Sequence, residues 1–355
     1  MNNIIISTGG TGGHVIPAQV LYDYLKDENQ VIITSDKRGI NYLYKKKNYK
    51  TKLIDVPKIN RSIIGFFPFL FTFIYSIARS YKYLKQKKIK ILISTGGYMS
   101  IPICLAAKIL KVKIFLFEPN LVLGNANRFL LNYSEKIFTY SKNVKNFPLK
   151  MYHKNFLIRP LIRKDIFLSK RKIKKRINTF SLLIIGGSQG TKIFDNLFYE
   201  DLIKLSKQFK IKVFHQTSKN NLKKLKKIYL LKKIDHQVFS YSNRLFEIIK
   251  KSDFVITRSG ASTINELVFL EVPFLAIPFP FAKDNHQYYN AKYYVKKNLG
   301  WLINQSKIKK NFLYKFITNL IKNKNLLNQK KKNMNKFNRN NNLKINSNFL
   351  KKLIR

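Results

Sequence analysis

The sequence predicts an α/β protein built from two parallel-sheet domains in tandem, and three observations predict it. Short β-rich runs alternate with helix-length patterns along most of the 355 residues, the spacing that parallel strands joined by crossover helices require. A strand running straight into a glycine loop and then a helix stands near the start of each half, at Gly9 to His14 and at Gly186 to Gly190. Between the halves, residues 169–178 read SKRKIKKRIN, too polar to contribute to a core and suited to a domain boundary.

The first half opens with Ile4, Ile5 and Ile6, followed by Ser7-Thr8-Gly9-Gly10-Thr11-Gly12-Gly13-His14 and an apolar-periodic helix from about Pro17. Glycines let the backbone turn sharply and approach a ligand closely. The helix opening there directs unpaired N–H groups and the positive end of its dipole at the loop, which makes an anion site. A dinucleotide fingerprint would need glycine where Val15 stands, and a P-loop would need lysine where His14 stands, so both are excluded. His14 is the one residue of the stretch able to exchange a proton near neutral pH.

Further strands are expected at 31–34, 52–55, 90–94, 113–117 and 136–139. The fourth runs into Ser94-Thr95-Gly96-Gly97-Tyr98, the next into Glu118-Pro119-Asn120. In parallel sheets ligands bind beyond the carboxyl ends of the strands, which places Asn120 on the same side as the first loop; a plain turn asparagine is the other reading. Residues 63–78, IIGFFPFLFTFIYSIA, lie between Arg61 and Arg79. The run falls short of the roughly 20 residues that span a bilayer. It suits a helix lying in a membrane interface, and equally a buried core helix.

The second half restarts the theme, with strands expected at 180–185, 212–215, 237–239, 254–257 and 273–277. Arg258-Ser259-Gly260-Ala261-Ser262-Thr263-Ile264-Asn265-Glu266 is another strand-to-helix junction. Its Glu266 has capping-box spacing from Thr263, or accepts hydrogen bonds from vicinal hydroxyls as an acidic residue does for a ribose. Lys283-Asp284-Asn285-His286-Gln287 opens the next helix with polar groups suited to a sugar. Two such domains form a cleft between them, which points to a nucleotide sugar with its diphosphate on helix N-termini. The Lys- and Asn-rich segment 322–355 is expected on the surface.

Composition bounds the rest. An apolar and aromatic content of 45% argues for a folded chain, and the formal charge of +52 draws anionic partners. The lysines are strewn along the whole chain with many Asn and Ile, so charge alone does not argue for nucleic acid, and no nucleic-acid partner is expected; a basic surface favours anionic lipid and phosphate-bearing substrates. The single cysteine, Cys104, permits no intramolecular disulfide, and the five histidines show no metal-ligand spacing. No metal or other cofactor is expected. The first apolar run is only a strand, so no secretory signal is read and a cytoplasmic location is expected.

Seven motifs in order, GGTGGH (9–14), STGGY (94–98), EPN (118–120), GGSQG (186–190), HQTS (215–218), RSGASTINE (258–266) and KDNHQYYNA (283–291), closely resemble the MurG family. These are peptidoglycan N-acetylglucosaminyltransferases of GT-B fold, two Rossmann-like domains whose parallel sheets face across a cleft. The resemblance covers nearly the whole chain to about residue 300. It implies an acceptor- and membrane-associating domain at 1–165 and a UDP-sugar-binding domain at 166–355. It implies inverting transfer from UDP-N-acetylglucosamine to the 4-hydroxyl of the muramoyl sugar of lipid I, giving lipid II, on the cytoplasmic face of the bacterial inner membrane as a peripheral protein. A diacylglycerol-type glycolipid glycosyltransferase using a UDP-sugar stays open as the alternative.

By the same resemblance, Thr11, Gly12 and Gly13 line the sugar and diphosphate, Asn120 meets a sugar hydroxyl, and Ser188 meets the phosphates. Ala261, Ser262, Thr263, Ile264, Asn265 and Glu266 form the segment for phosphate and ribose, with Glu266 on the hydroxyls. Gln287 reads N-acetylglucosamine, Ser242 offers main chain to the uracil, and Arg163 matches an arginine of the family's Gly-Asn-Pro-Val-Arg stretch. His14 is the expected general base.

Overall fold

A computed structural model describes residues 1–10, 12–44, 49–54, 56, 63–169, 178–187, 192–242, 244–339, 341 and 343–354. The chain divides into two compact units, residues 1–167 with 341–355, and residues 168–340.

The first unit alternates β1 (Asn3–Ser7), α1 (Gly12–Leu25), β2 (Gln30–Ser35), α2 (Lys37–Tyr44), β3 (Thr51–Leu53), α3 (Ile63–Gln86), β4 (Ile91–Ser94), α4 (Ile101–Ile109), β5 (Lys113–Glu118), α5 (Asn125–Leu130), β6 (Lys136–Thr139), β7 (Asn155–Leu157) and α6 (Lys164–Leu168). The strands form a parallel sheet in the order β3-β2-β1-β4-β5-β6-β7. Ile4, Ile5 and Ile6 are wholly buried, because a central parallel strand is covered on both faces and reads as an unbroken apolar run. On one face Ile5, Leu92, Leu116 and Ile137, from four neighbouring strands, meet Leu84, Ile103 and Leu130 of α3, α4 and α5. Each such side chain contributes roughly 1.5–3 kcal/mol by leaving water.

The second unit runs β8 (Phe180–Ile185), α7 (Lys192–Gln208), β9 (Ile211–Gln216), α8 (Leu222–Leu231), β10 (Asp235–Phe239), α9 (Leu245–Lys251), β11 (Phe254–Thr257), α10 (Ala261–Phe269), β12 (Phe274–Ala276), α11 (His286–Val295), β13 (Trp301–Leu302), α12 (Phe312–Lys322) and α13 (Lys324–Asn338). Its parallel sheet has the order β10-β9-β8-β11-β12-β13. Along β8, Leu182 and Ile184 enter one core with Phe194 and Phe198 of α7, while Leu183 and Ile185 enter another with Ile264 and Leu267 of α10. Alternation to opposite faces explains why FSLLII shows no polar side.

Two short edge strands are absent from the sequence reading, β7 and β13. Three and two residues long, they carry too little pattern to stand out from flanking loops, and short edges are what a sheet needs to avoid templating other chains.

The tail also differs from expectation. The sequence reading kept it with the second domain and on the surface, but α14 (Leu343–Ile354) belongs to the first unit. Asn346, Leu350 and Ile354 are buried, at the i, i+4, i+8 spacing of one helix face. Ser347 Oγ donates to the Tyr24 carbonyl at 3.2 Å and Asn341 Nδ2 to the Pro160 carbonyl at 3.2 Å. Three buried side chains outweigh a lysine-rich composition that merely solvates the opposite face. In the second unit α13 likewise buries Leu327 and Met334.

Candidate active site

Each sheet reverses its winding once. In the first unit the chain builds outward through β1, β2 and β3, then returns to lay β4 on the other side of β1; in the second it does the same between β8 and β11. Such switch points open a crevice at the carboxyl ends of the two strands involved. The glycine motifs occupy those ends.

In the first unit β1 ends in the loop that leads into α1, and β4 ends at Ser94. Asp36, at the end of β2, accepts from Gly10 N and from Gly39 N, each at 3.0 Å, so one carboxylate caps α2 and pins the loop. His14 Nδ1 lies 2.8 Å from the Thr95 carbonyl oxygen. A carbonyl only accepts, so Nδ1 carries the hydrogen and Nε2 of the neutral ring holds the lone pair. Thr95 Oγ1 in turn donates to the His14 carbonyl at 3.1 Å. This reciprocal pair joins β4 to the first turn of α1 and fixes the imidazole.

Gly96 follows with φ of +89°, and a Cβ there would lie 3.3 Å from His14 Nδ1 and 3.3 Å from Asn127 Nδ2. Both the left-handed backbone and the close approach of the ring call for glycine. Asn127 belongs to a second cluster built on Glu118, the buried last residue of β5. Oε1 of Glu118 accepts from Asn120 N at 3.1 Å and Asn120 Nδ2 at 3.0 Å; Oε2 accepts from Gly124 N and Asn127 Nδ2, both at 3.0 Å. Asn120 and Asn127 are thus tied to one carboxylate, and the turn at Gly96 passes close to both Asn127 and His14. Arg163 lies elsewhere in this unit, just before α6, with Nη1 3.9 Å from Asp165 Oδ2.

In the second unit α10 starts after Gly260, which caps it without any side-chain hydrogen bond. The capping-box reading of Glu266 is therefore set aside: Thr263 is inside the helix and Glu266 a full turn further on, largely buried. Ile264 is wholly buried in the core, and Asn265 Oδ1 accepts from the buried Tyr294 hydroxyl. These two side chains are spent on packing, which leaves the helix start at Ala261, Ser262 and Thr263 to offer N–H groups. Gln287 Oε1 accepts from Phe279 N at 2.9 Å and Ser259 N at 3.4 Å, while Asn290 Nδ2 donates to the Ser259 carbonyl at 3.2 Å. With its oxygen engaged, Gln287 presents the amide Nε2 as donor. Ser242 lies in the loop after β10, its Oγ accepting from Arg244 N at 3.2 Å. Thr11 and Ser188 lie outside the described residues.

Several residues that hold these sites were not singled out from sequence: Thr95, Asp36, Glu118, Arg258 and Asp195. Arg258, buried at the end of β11, donates to the carbonyls of Ile277 and Pro278, both at 2.9 Å, and to Gln305 Oε1 at 2.8 Å. Its guanidinium lies 4.7 Å from the Phe194 ring centroid, and burial pulls it down to about 10. By fixing the two carbonyls that precede Phe279 it sets the N–H that orients Gln287. In α7, Asp195 Oδ2 accepts from Thr217 Oγ1 at 2.6 Å and from Asn221 Nδ2; Oδ1 lies 3.1 Å from His215 Nε2. Burial pushes the Asp195 carboxyl up, but His215, Thr217 and Asn221 outweigh it and hold the group below the usual carboxylate value. The sequence signal for this class is a polar or charged residue closing an apolar strand, as in Phe117-Glu118 and Thr257-Arg258.

Comparison with known proteins agrees with this layout. Residues 4–139 match the glycosyltransferase family 28 N-terminal domain, and residues 181–345 the family 28 C-terminal domain. A UDP-N-acetylglucosamine–N-acetylmuramyl-(pentapeptide) pyrophosphoryl-undecaprenol N-acetylglucosamine transferase from Pelagibacter ubique is 47% identical, over 94% of both chains. A protein of the same description from Rickettsia bellii is 33% identical over 100% of both. The crystal structure of Acinetobacter baumannii MurG superimposes with a TM-score of 0.75 over 95% of both chains, at 24% identity, and shares the two-domain GT-B fold. With family models matched in both halves and a relative this similar across nearly its whole length, the chain belongs to glycosyltransferase family 28 and, within it, to the MurG family.

Proposed function

We propose that this chain transfers N-acetylglucosamine from UDP-N-acetylglucosamine to the 4-hydroxyl of the muramoyl sugar of lipid I, releasing UDP and giving lipid II. What carries the reading is the 47% identity, over 94% of the chain, to a transferase described by that donor and that acceptor, together with the presence of the glycine loops, His14 and Gln287. The first unit serves the acceptor and the second the donor. A single displacement with inversion needs a base for the acceptor hydroxyl and stabilisation of the departing diphosphate, and no protein nucleophile.

His14 is the base. Its Nδ1 hydrogen is committed to Thr95, so Nε2 is the atom that takes the hydroxyl proton. The helix start at Ala261 offers N–H groups to the phosphates as negative charge grows on them. Glu266 meets the ribose hydroxyls, Gln287 donates from Nε2 to the sugar, and Thr11, Gly12, Gly13, Asn120, Arg163, Ser188 and Ser242 supply the remaining contacts. His14→Ala should lower turnover by about 10²- to 10⁴-fold with UDP affinity kept; a variant that keeps most of its turnover would exclude the base assignment.

The acceptor is a membrane lipid, and α3 supports peripheral docking to the cytoplasmic face of the inner membrane. Among the described residues no helix is long and apolar enough to cross a bilayer. Yet α3 buries Ser76, Ser80 and Leu84 and leaves Phe67 (72%), Phe71 (74%), Ile74 (55%) and Tyr75 (57%) exposed. An apolar stripe turned to solvent beside cations suits an anionic lipid surface. Phe71→Glu with Ile74→Glu should release the protein from phosphatidylglycerol vesicles and leave its circular dichroism unchanged; undiminished sedimentation with the vesicles would refute the docking role.

The activity itself is tested by UDP release from UDP-N-acetylglucosamine with and without a lipid I analogue, beside UDP-glucose and UDP-galactose. Release that requires both the amino sugar donor and the muramoyl acceptor is expected. Turnover without acceptor, or preference for a diacylglycerol acceptor, would overturn the assignment.

A further inference from the structure

The motif His215-Gln216-Thr217-Ser218 stands at the end of β9 and takes no part in the chemistry of transfer, yet its side chains reach two segments assigned to the donor. We propose that it is a positioning element that sets the span between the segment meeting the base of the donor and the helix start meeting its phosphates. The inference rests on the reading of the second unit in which Ser242 serves the uracil and the loop holding Ser188 serves the diphosphate.

Strand alternation divides the motif. Ile211 and Val213 enter the core on the α7 face of the sheet, and Phe214 enters the core on the α10 face, so His215 and Thr217 turn toward α7 and Gln216 turns away from it. On the first side, one oxygen of Asp195, in the opening turn of α7, accepts from Thr217 Oγ1 at 2.6 Å and from Asn221 Nδ2, and the other lies 3.1 Å from His215 Nε2. His215 Nδ1 is in turn 2.7 Å from the Tyr229 hydroxyl of α8, and Asp195, His215 and Tyr229 are all buried. On the second side, Gln216 Nε2 donates to the Ser240 carbonyl at 3.3 Å, two residues before Ser242. Thr217 N donates to the Phe239 carbonyl at 2.9 Å, so the loop after β10 is tied twice to the motif.

The place of Asp195 gives the contact its consequence. A carboxylate in the first turn of a helix ordinarily lies against that helix's own N–H groups and dipole. Here both oxygens face groups that end or follow β9, so the carboxylate does not occupy the N–H groups that an anion would use. Phe194 and Phe198 hold α7 to the sheet by apolar contact, which has no preferred direction. The hydrogen bonds to Asp195 have one, and they fix where the helix begins. Since β9 and β11 flank β8, and Phe194 lies against the Arg258 guanidinium at the end of β11, the opening turn is held from both neighbours of the strand that feeds it.

Calorimetric affinities of the full chain for UDP and for uridine separate the two contacts. Thr217→Val with Asn221→Ala removes both donors from one oxygen of Asp195 and should weaken UDP about tenfold, the worth of one hydrogen bond to a charged group, with uridine affinity kept. Gln216→Ala should weaken uridine and UDP by the same factor. Asp201→Asn alters another buried carboxylate of α7, which accepts from Leu313 N and Tyr314 N at the start of α12; it should lower the urea midpoint and leave the ratio of the two affinities unchanged. The proposal is overturned if Thr217→Val with Asn221→Ala leaves that ratio intact, if Asp201→Asn lowers it as much, or if the Gln216→Ala chain binds uridine like the unaltered one. Ser188→Ala tells this failure from that of the underlying reading. A ratio lowered by Ser188→Ala alone keeps the loop at the phosphates and removes only the role of the motif, whereas a ratio that neither change moves would take the loop away from the phosphates altogether.

Discussion

Glu118→Gln is the most telling single change in the first unit. The carboxylate is 1% exposed and accepts four N–H donors, two on each oxygen. Glutamine keeps one acceptor oxygen and sets an NH₂ against the other pair of donors. Two hydrogen bonds to a charged group are lost, each worth about 1.5–3 kcal/mol, so the cost before relaxation is about 3–6 kcal/mol, a large share of a total stability of roughly 5–15 kcal/mol. At 1% exposure, solvent screening does little to soften the loss. A urea titration followed by far-ultraviolet circular dichroism should show the midpoint falling by on the order of 2 M, for a slope near ~2 kcal/mol per molar. Since Asn120 and Asn127 are both held by this carboxylate, UDP release should decline at denaturant concentrations where the fold is still intact. The double variant with Asn127→Ala should cost less than the sum of the single changes, because both break the same bond. A midpoint for Glu118→Gln within experimental error of the unaltered chain would refute the claim that the four bonds are charge-assisted and fix the loop.

Two other changes probe the rest of the frame. Gly96→Ala places a methyl 3.3 Å from the His14 ring on a backbone at φ of +89°; a loss of about 1–3 kcal/mol and a larger fall in kcat than in donor affinity should appear in calorimetry and steady-state kinetics, and unchanged kcat would show that His14 is not held by this contact. Asp195 has a folded-state carboxyl below its usual 3.8, so its contribution is complete above about pH 3.8 and is lost as the pH falls through the lower folded-state value. Asp195→Asn should therefore destabilise the second unit at pH 7, with the difference from the unaltered chain closing only below pH 3.8; a difference independent of pH would contradict the ionised network.

The strands of both sheets, the glycine loops and the order of the motifs are legible in the sequence because they depend on local pattern. Ile4 to Ile6 and 180–185 announce buried parallel strands by lacking a polar side, and Gly9 to Gly13 announces a turn that side chains would obstruct. Local pattern also singled out His14 as a residue able to exchange a proton, and the resemblance singled out Gln287 as an expected sugar contact. It did not give Thr95, Asp36, Glu118 or Arg258, whose partners lie on other strand ends and come within bonding distance only when the sheet assembles.

The sequence by itself determined the fold class and the family, since hydrophobic period and the order of the motifs are properties of the chain before it folds. Tertiary structure alone decided which nitrogen of His14 is free, that Ile264 and Asn265 are committed to the core, and that α14 returns to the first unit. Each of those outcomes turns on one contact between segments far apart in the chain: a carbonyl just beyond β4, a tyrosine on α11, an apolar face matched to α1. Composition and spacing carry no record of such pairings, because a hydrogen bond or a buried face is satisfied by geometry that exists only in the folded protein.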